Sequence, residues 1–412
     1  MKRNFTAVAV LLAMALVAQN ALAKTLEDVL KEKGVITEEE LKEVTTSAPL
    51  SYKLGDGFTF KSADDRFSLS LGSRIQARYT FIDKDDANGT IQDVSEWNIR
   101  RAKFWLKGHA YSKDLTYKMQ VNFREGSSSK LLEDAILNYR FIKEAQIQVG
   151  QEKVPFARQE LTSSGAQQFV DRSNATDTFK PGRDTGVMAH GKAAEGLLEY
   201  AAGWYGGAGQ SLTRSSNRNS VALRVAVNPL GEMKYSESDL ERSEKPLFSV
   251  GANWYRNVFT KEEAGKNNTT LFDKGWLNRG ANFAADEKIE VNTAGADLAF
   301  KWMGASFQGE YFWAQGDGSS AAKNTQRAQG FYVQSGYFII PKHLEAAVRY
   351  SYVDPNRDKA DDLRTETQGA LSYYFNKHNL KLQGDFTSIH QQASGKLPND
   401  DMQFRLQAQI IF

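Results

Sequence analysis

The chain contains no cysteine and only eight prolines among its 412 residues. The absence of cysteine excludes disulfide bonds, thiolate nucleophiles and cysteine metal ligands. Beyond the first 23 residues, the sequence also has no apolar run that approaches the roughly 20 residues of a membrane-spanning helix. Only helices and closed barrels satisfy every backbone hydrogen bond within lipid. If this chain crosses a membrane, it therefore crosses as a β-barrel.

A strong excess of either charge is also missing. The chain has 52 basic and 50 acidic residues, and removal of the first 23 residues would leave 50 of each, because Lys2 and Arg3 would be lost. Proteins that bind nucleic acid normally show a basic excess. The charge balance therefore argues against a nucleic-acid partner.

Recognisable catalytic motifs are absent as well. The sequence has neither a G-x-S-x-G nor an H-E-x-x-H pattern, and its five histidines are scattered. Ser388 and His390 lie two positions apart near a predicted strand end, which is the spacing of a nucleophile and a base on one strand face. Nothing in the sequence orients that histidine. We therefore expect no catalytic residue, no metal site and no cofactor.

The first 23 residues have the pattern of a secretory signal peptide. Lys2 and Arg3 form its basic start, residues 7–18 its apolar middle, and Ala21-Leu22-Ala23 a small-x-small cleavage site. We expect this segment to be removed after export.

Residues 24–65 form a predicted N-terminal helical segment and linker. Leu26, Val29 and Leu30 recur at helical spacing, and Thr37 opens a capping box with Glu40. Two helices this short are not stable alone. They would pack on a second copy or lie at the mouth of a barrel, and a loosely ordered tail explains the pattern equally well.

Residues 66–412 are dominated by alternating strands. In the last stretch, Met402–Phe412, the even positions are apolar and the odd positions from Gln403 to Gln409 are polar. This period of two indicates a strand with one apolar and one polar face. Many such strands in an exported protein predict an all-β, antiparallel transmembrane β-barrel, apolar outside and polar inside. About 16 strands are predicted, near residues 67–81, 99–111, 115–123, 131–141, 145–153, 184–190, 197–205, 221–228, 247–255, 288–302, 305–314, 328–340, 344–353, 365–375, 380–390 and 402–412.

The predicted connections alternate between short turns and longer loops, as in outer-membrane barrels. Residues 112–114 and 142–144 are short turns, whereas 83–96 and 154–183 are long loops. The even number of strands places both termini at the turn end. One connection at this end, residues 229–246, is long and charged and breaks the rule.

Basic residues recur on the predicted lumen face of the first strands. A spacing of two or four residues keeps side chains on one face of a strand, so Arg74 and Arg78 share one wall. Pro155 cannot continue the strand ladder, and we expect the long loop after it to fold inward and add further arginines. A lumen lined by Arg and Lys favours anions, although a generic hydrated wall would contain the same residues. The predicted pore-lining or anion-binding residues are Arg74, Arg78, Arg101, Lys103, Lys107, Arg158, Arg172, Arg183 and Arg224.

Several runs in and around the long loop resemble the phosphate-selective porin O/P family. They are Gly150–Phe156, Glu160–Ser164, Phe169–Ser173 and Pro181–Val187, supported by Ile99–Ala102, Lys33–Thr37 and the terminal Phe412. The resemblance implies a homotrimeric, 16-stranded channel of the outer membrane, with this loop folded into the lumen as a constriction. It also implies passive diffusion, with a preference for anions or phosphate in some members.

The combined prediction is an outer-membrane porin that lets small hydrophilic solutes diffuse passively, with a modest anion preference that extends to phosphate. Its domains would be a signal peptide (1–23), a periplasmic helical segment and linker (24–65) and the barrel (66–412). Its partners would be outer-membrane lipid, small anions or other hydrophilic solutes, and two further copies of itself, in a Gram-negative-type bacterium. Two alternatives stay open, a barrel hydrolase and a scaffold barrel at the cell surface.

Overall fold

The computed structural model describes residues 33–34, 37, 50–85, 92–123, 131–214, 216–260, 263, 276–278, 283–284, 286–320, 324–392 and 398–412. The predicted signal peptide, and the predicted N-terminal helices apart from Lys33, Gly34 and Thr37, lie outside these residues. The chain divides into two units, Met1–Ser51 and Tyr52–Phe412, and the second contains the barrel.

The described residues form eighteen strands. They are β1 (Leu50–Lys53), β2 (Gly57–Lys61), β3 (Ser68–Asp83), β4 (Val94–Ala110), β5 (Ser112–Asn122), β6 (Leu132–Ile142), β7 (Ala145–Lys153), β8 (Arg183–Ala193), β9 (Leu198–Tyr205), β10 (Ser220–Val227), β11 (Leu247–Thr260), β12 (Lys288–Trp302), β13 (Ala305–Gly318), β14 (Thr325–Ile340), β15 (Leu344–Asp354), β16 (Arg364–Asn376), β17 (Leu380–Gln391) and β18 (Asn399–Ile411).

Strands β3 to β18 close into one antiparallel barrel of sixteen strands, which confirms the predicted fold class. Each strand pairs with the next, and β18 pairs with β3 in a register that runs from Met402↔Asp83 to Ile411↔Arg74. The short strand β2 pairs with the first residues of β3, with Phe58 opposite Leu71. Every barrel strand therefore has two neighbours, and the barrel has no open edge within lipid.

The side chains of β18 follow the alternation predicted from the sequence. Gln407 is 1% exposed and points into the barrel, whereas Phe404 and Ile410 are 37% and 41% exposed on its outer surface. Apolar side chains outside and polar side chains inside fit a barrel surrounded by lipid. Within the described residues, no helix is both long enough and apolar enough to cross a membrane.

The two ends of the barrel differ in the length of their connections. At the turn end, the end that contains Phe412, most connections have four residues or fewer, such as 143–144, 303–304 and 341–343. The exception is residues 228–246, here called the turn-end insert. At the opposite end, the longest fully described connection is residues 154–182, here called the constriction loop, which contains the short helices α1 (Arg158–Leu161) and α2 (Asn174–Phe179).

Among the register shifts of the described strands, two β-bulges lie away from the turns and change which side chains face the lumen. Between β3 and β4, Gln76 pairs with Arg101 and Ala77 with Ile99, so that Arg100 is the extra residue. Between β5 and β6, Gln120 pairs with Asp134 and Val121 with Leu132, so that Glu133 is the extra residue. A bulge lets two consecutive side chains turn to the same face of a strand. Each bulge places two consecutive side chains of like charge on the lumen side of its strand. The pairs are Arg100 with Arg101 and Glu133 with Asp134.

The main hydrophobic core lies inside the barrel. Phe156 and Phe179 of the constriction loop are fully buried and belong to one cluster with Phe312 and Tyr332 of β13 and β14. The rings of Phe179 and Phe312 stack with their centroids 5.5 Å apart. Apolar side chains face the lumen here because the loop covers this wall and excludes water from it.

Candidate functional site

The constriction loop is fixed to the barrel wall through Glu310 of β13. The two carboxylate oxygens of Glu310 accept hydrogen bonds from the backbone N–H groups of Arg158 and Gln159, each at 2.6 Å. These are the first N–H groups of α1, which have no partner within the helix. Tyr332 donates its hydroxyl to the same carboxylate at 2.7 Å. The loop is thus attached by a buried carboxylate as well as by its apolar core.

A second attachment lies where α2 meets β14 and β15. The backbone N–H of Ala175 donates to Ser351 Oγ at 3.1 Å. Gly330 leaves room for the Phe179 ring, because a Cβ atom at Gly330 would lie 2.6 Å from that ring. A side chain at position 330 would therefore displace the loop from the wall.

Asp171, at the tip of the constriction loop, is surrounded by four arginines. Its carboxylate lies 2.7 Å from Arg78 and 3.3 Å from each of Arg100 and Arg101. Arg405 of β18 lies 3.5 Å away. Burial alone would raise the pKa of Asp171, but the four guanidiniums bring it well below its usual range. The carboxylate is therefore charged at neutral pH and holds the loop against β3, β4 and β18.

The acidic pair made by the second bulge, on β6, binds cations of β4, β5 and β8. Glu133 lies 2.5 Å from the Lys103 ammonium, and Asp134 lies 2.6 Å from that of Lys118. Arg183 reaches both carboxylates, at 3.4 Å and 2.8 Å. This cluster was not predicted. Two consecutive acidic residues in a membrane strand could have indicated it. An acidic side chain that faces lipid costs free energy, so both must turn toward the lumen.

Arg74 differs from the other predicted cations. Its guanidinium donates to Ser163 Oγ at 3.0 Å and Ser164 Oγ at 2.8 Å, both on the constriction loop. Within the described part of the chain, Arg74 forms no ion pair, and its Nε has no hydrogen-bond partner. Its charge is therefore less compensated than that of the arginines around Asp171.

Three other predicted arginines each lie beside a carboxylate. Arg224 binds Asp297 through two hydrogen bonds, at 2.6 and 3.0 Å. Arg158, in α1 of the constriction loop, is buried, donates to Ser249 Oγ at 3.0 Å and lies 3.8 Å from the same carboxylate. Arg172 lies 2.9 Å from Glu160 within the constriction loop.

Lys107 lies away from the constriction. Its ammonium binds Asp56 at 3.1 Å, close to the turn end. Lys107 is on the lumen face of β4, as the period of two predicts. It lies on the part of β4 that extends past the constriction toward the turn end.

A cavity of about 650 Å³ remains between the constriction loop and strands β3 to β10. Eleven basic and five acidic side chains line it, so basic residues outnumber acidic ones by six on the surface left open by the loop. Arg78, Lys107 and Arg158 are not among the lining residues. The predicted residues that line the cavity are Arg74, Arg101, Lys103, Arg172, Arg183 and Arg224. Arg100, Lys118, Lys153, Lys180 and Lys192 also line it.

The proposed nucleophile and base lie outside the lumen. Ser388 and His390 share the outward face of β17 with Phe386. His390 Nδ1 lies 2.6 Å from Asp400 Oδ1, so this histidine is oriented by a neighbour that the sequence did not reveal. Among the described residues, no group of three or more His, Cys, Asp and Glu side chains is arranged to hold a metal ion.

Comparison with known proteins places this architecture among porins. The family model for phosphate-selective porins O and P matches residues 69–412. An uncharacterised protein from Aquifex aeolicus (strain VF5) is 23% identical over 429 residues, which cover 93% of each chain.

Solved structures of porins and other outer-membrane proteins have a similar fold. An anion-selective porin from Comamonas acidovorans aligns with a TM-score of 0.58 at 10% identity, over 84% of this chain and 100% of that one. The outer-membrane channel DcaP of Acinetobacter baumannii gives 0.57 at 14% identity, over 86% and 99%. The trimer form of OmpT from Vibrio cholerae gives 0.54 at 11% identity, over 84% and 100%. At these identities, the likeness concerns the fold alone.

Proposed function

The chain belongs to the family of phosphate-selective porins O and P, and we propose that this outer-membrane porin prefers anions among the small hydrophilic solutes that diffuse through it. The observation that supports this preference is the excess of basic side chains around the open cavity. In a narrow lumen with low-dielectric walls, fixed charges raise the local concentration of ions of opposite sign. Inorganic phosphate is one candidate solute.

The proposal includes a homotrimer in the outer membrane, exported with a signal peptide at residues 1–23. The trimer form of OmpT is a structural neighbour and supports this assembly for the same fold. The turn end would face the periplasm, as short turns do in outer-membrane barrels. We propose no enzymatic role, because Ser388 and His390 lie on the outward face of β17, away from the solute path.

The test is the reversal potential of single channels in a planar bilayer under a salt gradient. We expect an anion-to-cation permeability ratio above one, and a fall of roughly twofold or more in Arg74→Gln, because this removes a cavity-lining charge that is less compensated than those around Asp171. The ratio must be measured at low salt, where screening is weak.

Lys107→Gln is the matched control, because it removes a charge that lies outside the constriction. A wild-type ratio of one or below contradicts the anion preference. An unchanged ratio in a folded Arg74→Gln barrel contradicts the role of the basic surface.

A further inference from the structure

The turn-end insert is the feature that the barrel architecture does not explain. It has nineteen residues, 228–246, at the end where most other connections are short. Glu237, Ser238 and Asp239 in its middle are each only 2% exposed. Acidic side chains are almost never buried this fully unless they have partners. The partners therefore show what the insert does.

Glu237 binds the constriction loop at three points. One carboxylate oxygen accepts a hydrogen bond from Gln159 Nε2 at 2.9 Å, and the other accepts one from the backbone N–H of Gln168 at 2.8 Å. The backbone N–H of Glu237 donates to the carbonyl of Ala166 at 3.1 Å. The insert, which enters from the turn end, thus meets the loop, which enters from the opposite end.

The insert is itself fixed to the barrel wall. Ser238 Oγ donates to Glu345 Oε2 at 2.8 Å, and Gln168 of the loop donates to the other oxygen of Glu345 at 2.6 Å. Asp239 accepts hydrogen bonds from the backbone N–H groups of Ser243 at 3.0 Å and Gly304 at 2.8 Å. The insert therefore gives Glu237 a fixed position from which to hold the loop.

The two loop residues that bind the Glu237 carboxylate lie on either side, in sequence, of the two serines that bind Arg74. Gln159 precedes and Gln168 follows Ser163 and Ser164, whose hydroxyls accept the hydrogen bonds of the Arg74 guanidinium. A displacement of this part of the loop would therefore move the acceptors of Arg74.

The insert also lines the cavity directly. The Tyr235 ring faces the Arg158 guanidinium at 4.9 Å, and Tyr235 is one of the cavity-lining side chains. The insert therefore contributes to the surface that a solute meets beyond the constriction.

We propose that Glu237 is a positioning residue of the channel, and that the turn-end insert is a second constriction element that fixes the width and charge of the first. The expected effect of Glu237 on ion selectivity acts through Arg74 and therefore rests on the proposed function. The expected effect of Glu237 on the rigidity of the loop rests on hydrogen-bond geometry alone.

The first test replaces Glu237 with alanine and records conductance, open-channel current noise and the permeability ratio. We expect more current noise and at least a twofold change in conductance, together with a lower anion-to-cation ratio. Glu241→Ala is the matched control, because Glu241 lies in the same insert but its side chain is 65% exposed and pairs with Lys377 at the surface. The control is expected to match wild type. Folding of each variant is checked by the heat-dependent mobility of the barrel in gels.

The second test uses the absence of cysteine from the chain. In the double variant Ala166→Cys/Glu237→Cys, the two cysteines stand at positions whose backbones are joined by a hydrogen bond, and they have no competing thiol. Under reducing conditions, we expect the behaviour of Glu237→Ala. Under oxidising conditions, a disulfide would tether the insert to the loop and restore low noise and wild-type conductance.

Three outcomes overturn the inference. They are wild-type noise, conductance and ratio in a folded Glu237→Ala barrel, failure of the two cysteines to cross-link, and a cross-link that restores nothing. Noise and conductance do not depend on ionic preference. A wild-type permeability ratio of one therefore contradicts the proposed function, while the noise of Glu237→Ala still tests the inference.

Discussion

Asp171→Asn should make the channel more selective for anions. Asparagine keeps the volume of the side chain but removes a charge that the surrounding arginines hold ionised at neutral pH. Backbone contacts keep this part of the loop in place without the carboxylate. Arg78 donates to the carbonyl of Val170 at 3.2 Å, and Arg349 donates to the carbonyl of Asp171 at 3.0 Å. The substitution therefore changes charge more than position.

The expected size of the effect follows from Coulomb's law. At an effective dielectric constant of about 20 to 80, a unit charge acts on an ion roughly 8 Å away with about 2 to 0.5 kcal/mol. The occupancy of the constriction by anions should therefore rise roughly two- to thirtyfold, since about 1.4 kcal/mol corresponds to a factor of ten. Arg100 and Arg101, which line the cavity, would then face the solute without the carboxylate that they now share.

The assay is the reversal potential at low salt, with Asp177→Asn as the control. Asp177 lies on the same loop, but its side chain is 44% exposed and pairs with Lys180 at 2.6 Å. Exposed ion pairs are screened and contribute little. A permeability ratio that stays constant or falls in a folded Asp171→Asn barrel would refute the reasoning, because the carboxylate would then act mainly as a strut.

Two further predictions concern assembly and register. Deletion of residues 24–44 should leave barrel folding and pore formation intact but weaken the trimer, which the mass of the oligomer in detergent would show. A shortened chain that forms no pore would show instead that the segment belongs to the fold. Deletion of Arg100, the extra residue of its bulge, should leave every other side chain on its present face, and the barrel should fold. Deletion of Gly384 from the regular part of β17 should instead turn Lys381 or Asp385 toward lipid, at a cost that reaches about 2–4 kcal/mol for a basic side chain at the midplane and is smaller for an acidic one. Equal loss of folded barrel in both deletions would contradict this interpretation of the bulge.

The barrel could be predicted because lipid enforces a simple rule. Each strand must present apolar side chains to lipid. The alternation in Met402–Phe412 therefore shows which face of the strand points outward, without knowledge of any contact. The same rule limits the prediction at the bulges. A strict period of two places Arg100 and Arg101 on opposite faces of β4, whereas in the structure both side chains point toward Asp171. Two consecutive charges in a membrane strand are the signal for such a bulge.

The contacts of the constriction could not be predicted from the sequence. The partners of Asp171 come from β3, β4 and β18, and Arg405 lies 234 residues away from it along the chain. Residues 228–246 show no period, because their side chains are held by specific hydrogen bonds and not by one apolar face. The inward apolar positions Ile289 and Val291 depend on the packing of loops against them, which a strand pattern does not reveal.

The nearly neutral composition of the chain does not decide its ionic preference, because acids and bases occupy different places. Asp171, Glu237, Glu310 and Glu345 hold the constriction loop or the insert, and none of them lines the open cavity. The basic residues lie disproportionately on the cavity side of the loop. Packing of the loop therefore removes negative charge from the solute path as well as narrowing it. A loop released from its carboxylates would expose those acids and reduce the excess of positive charge, so the selectivity of this channel depends on the same hydrogen bonds that keep the loop in place.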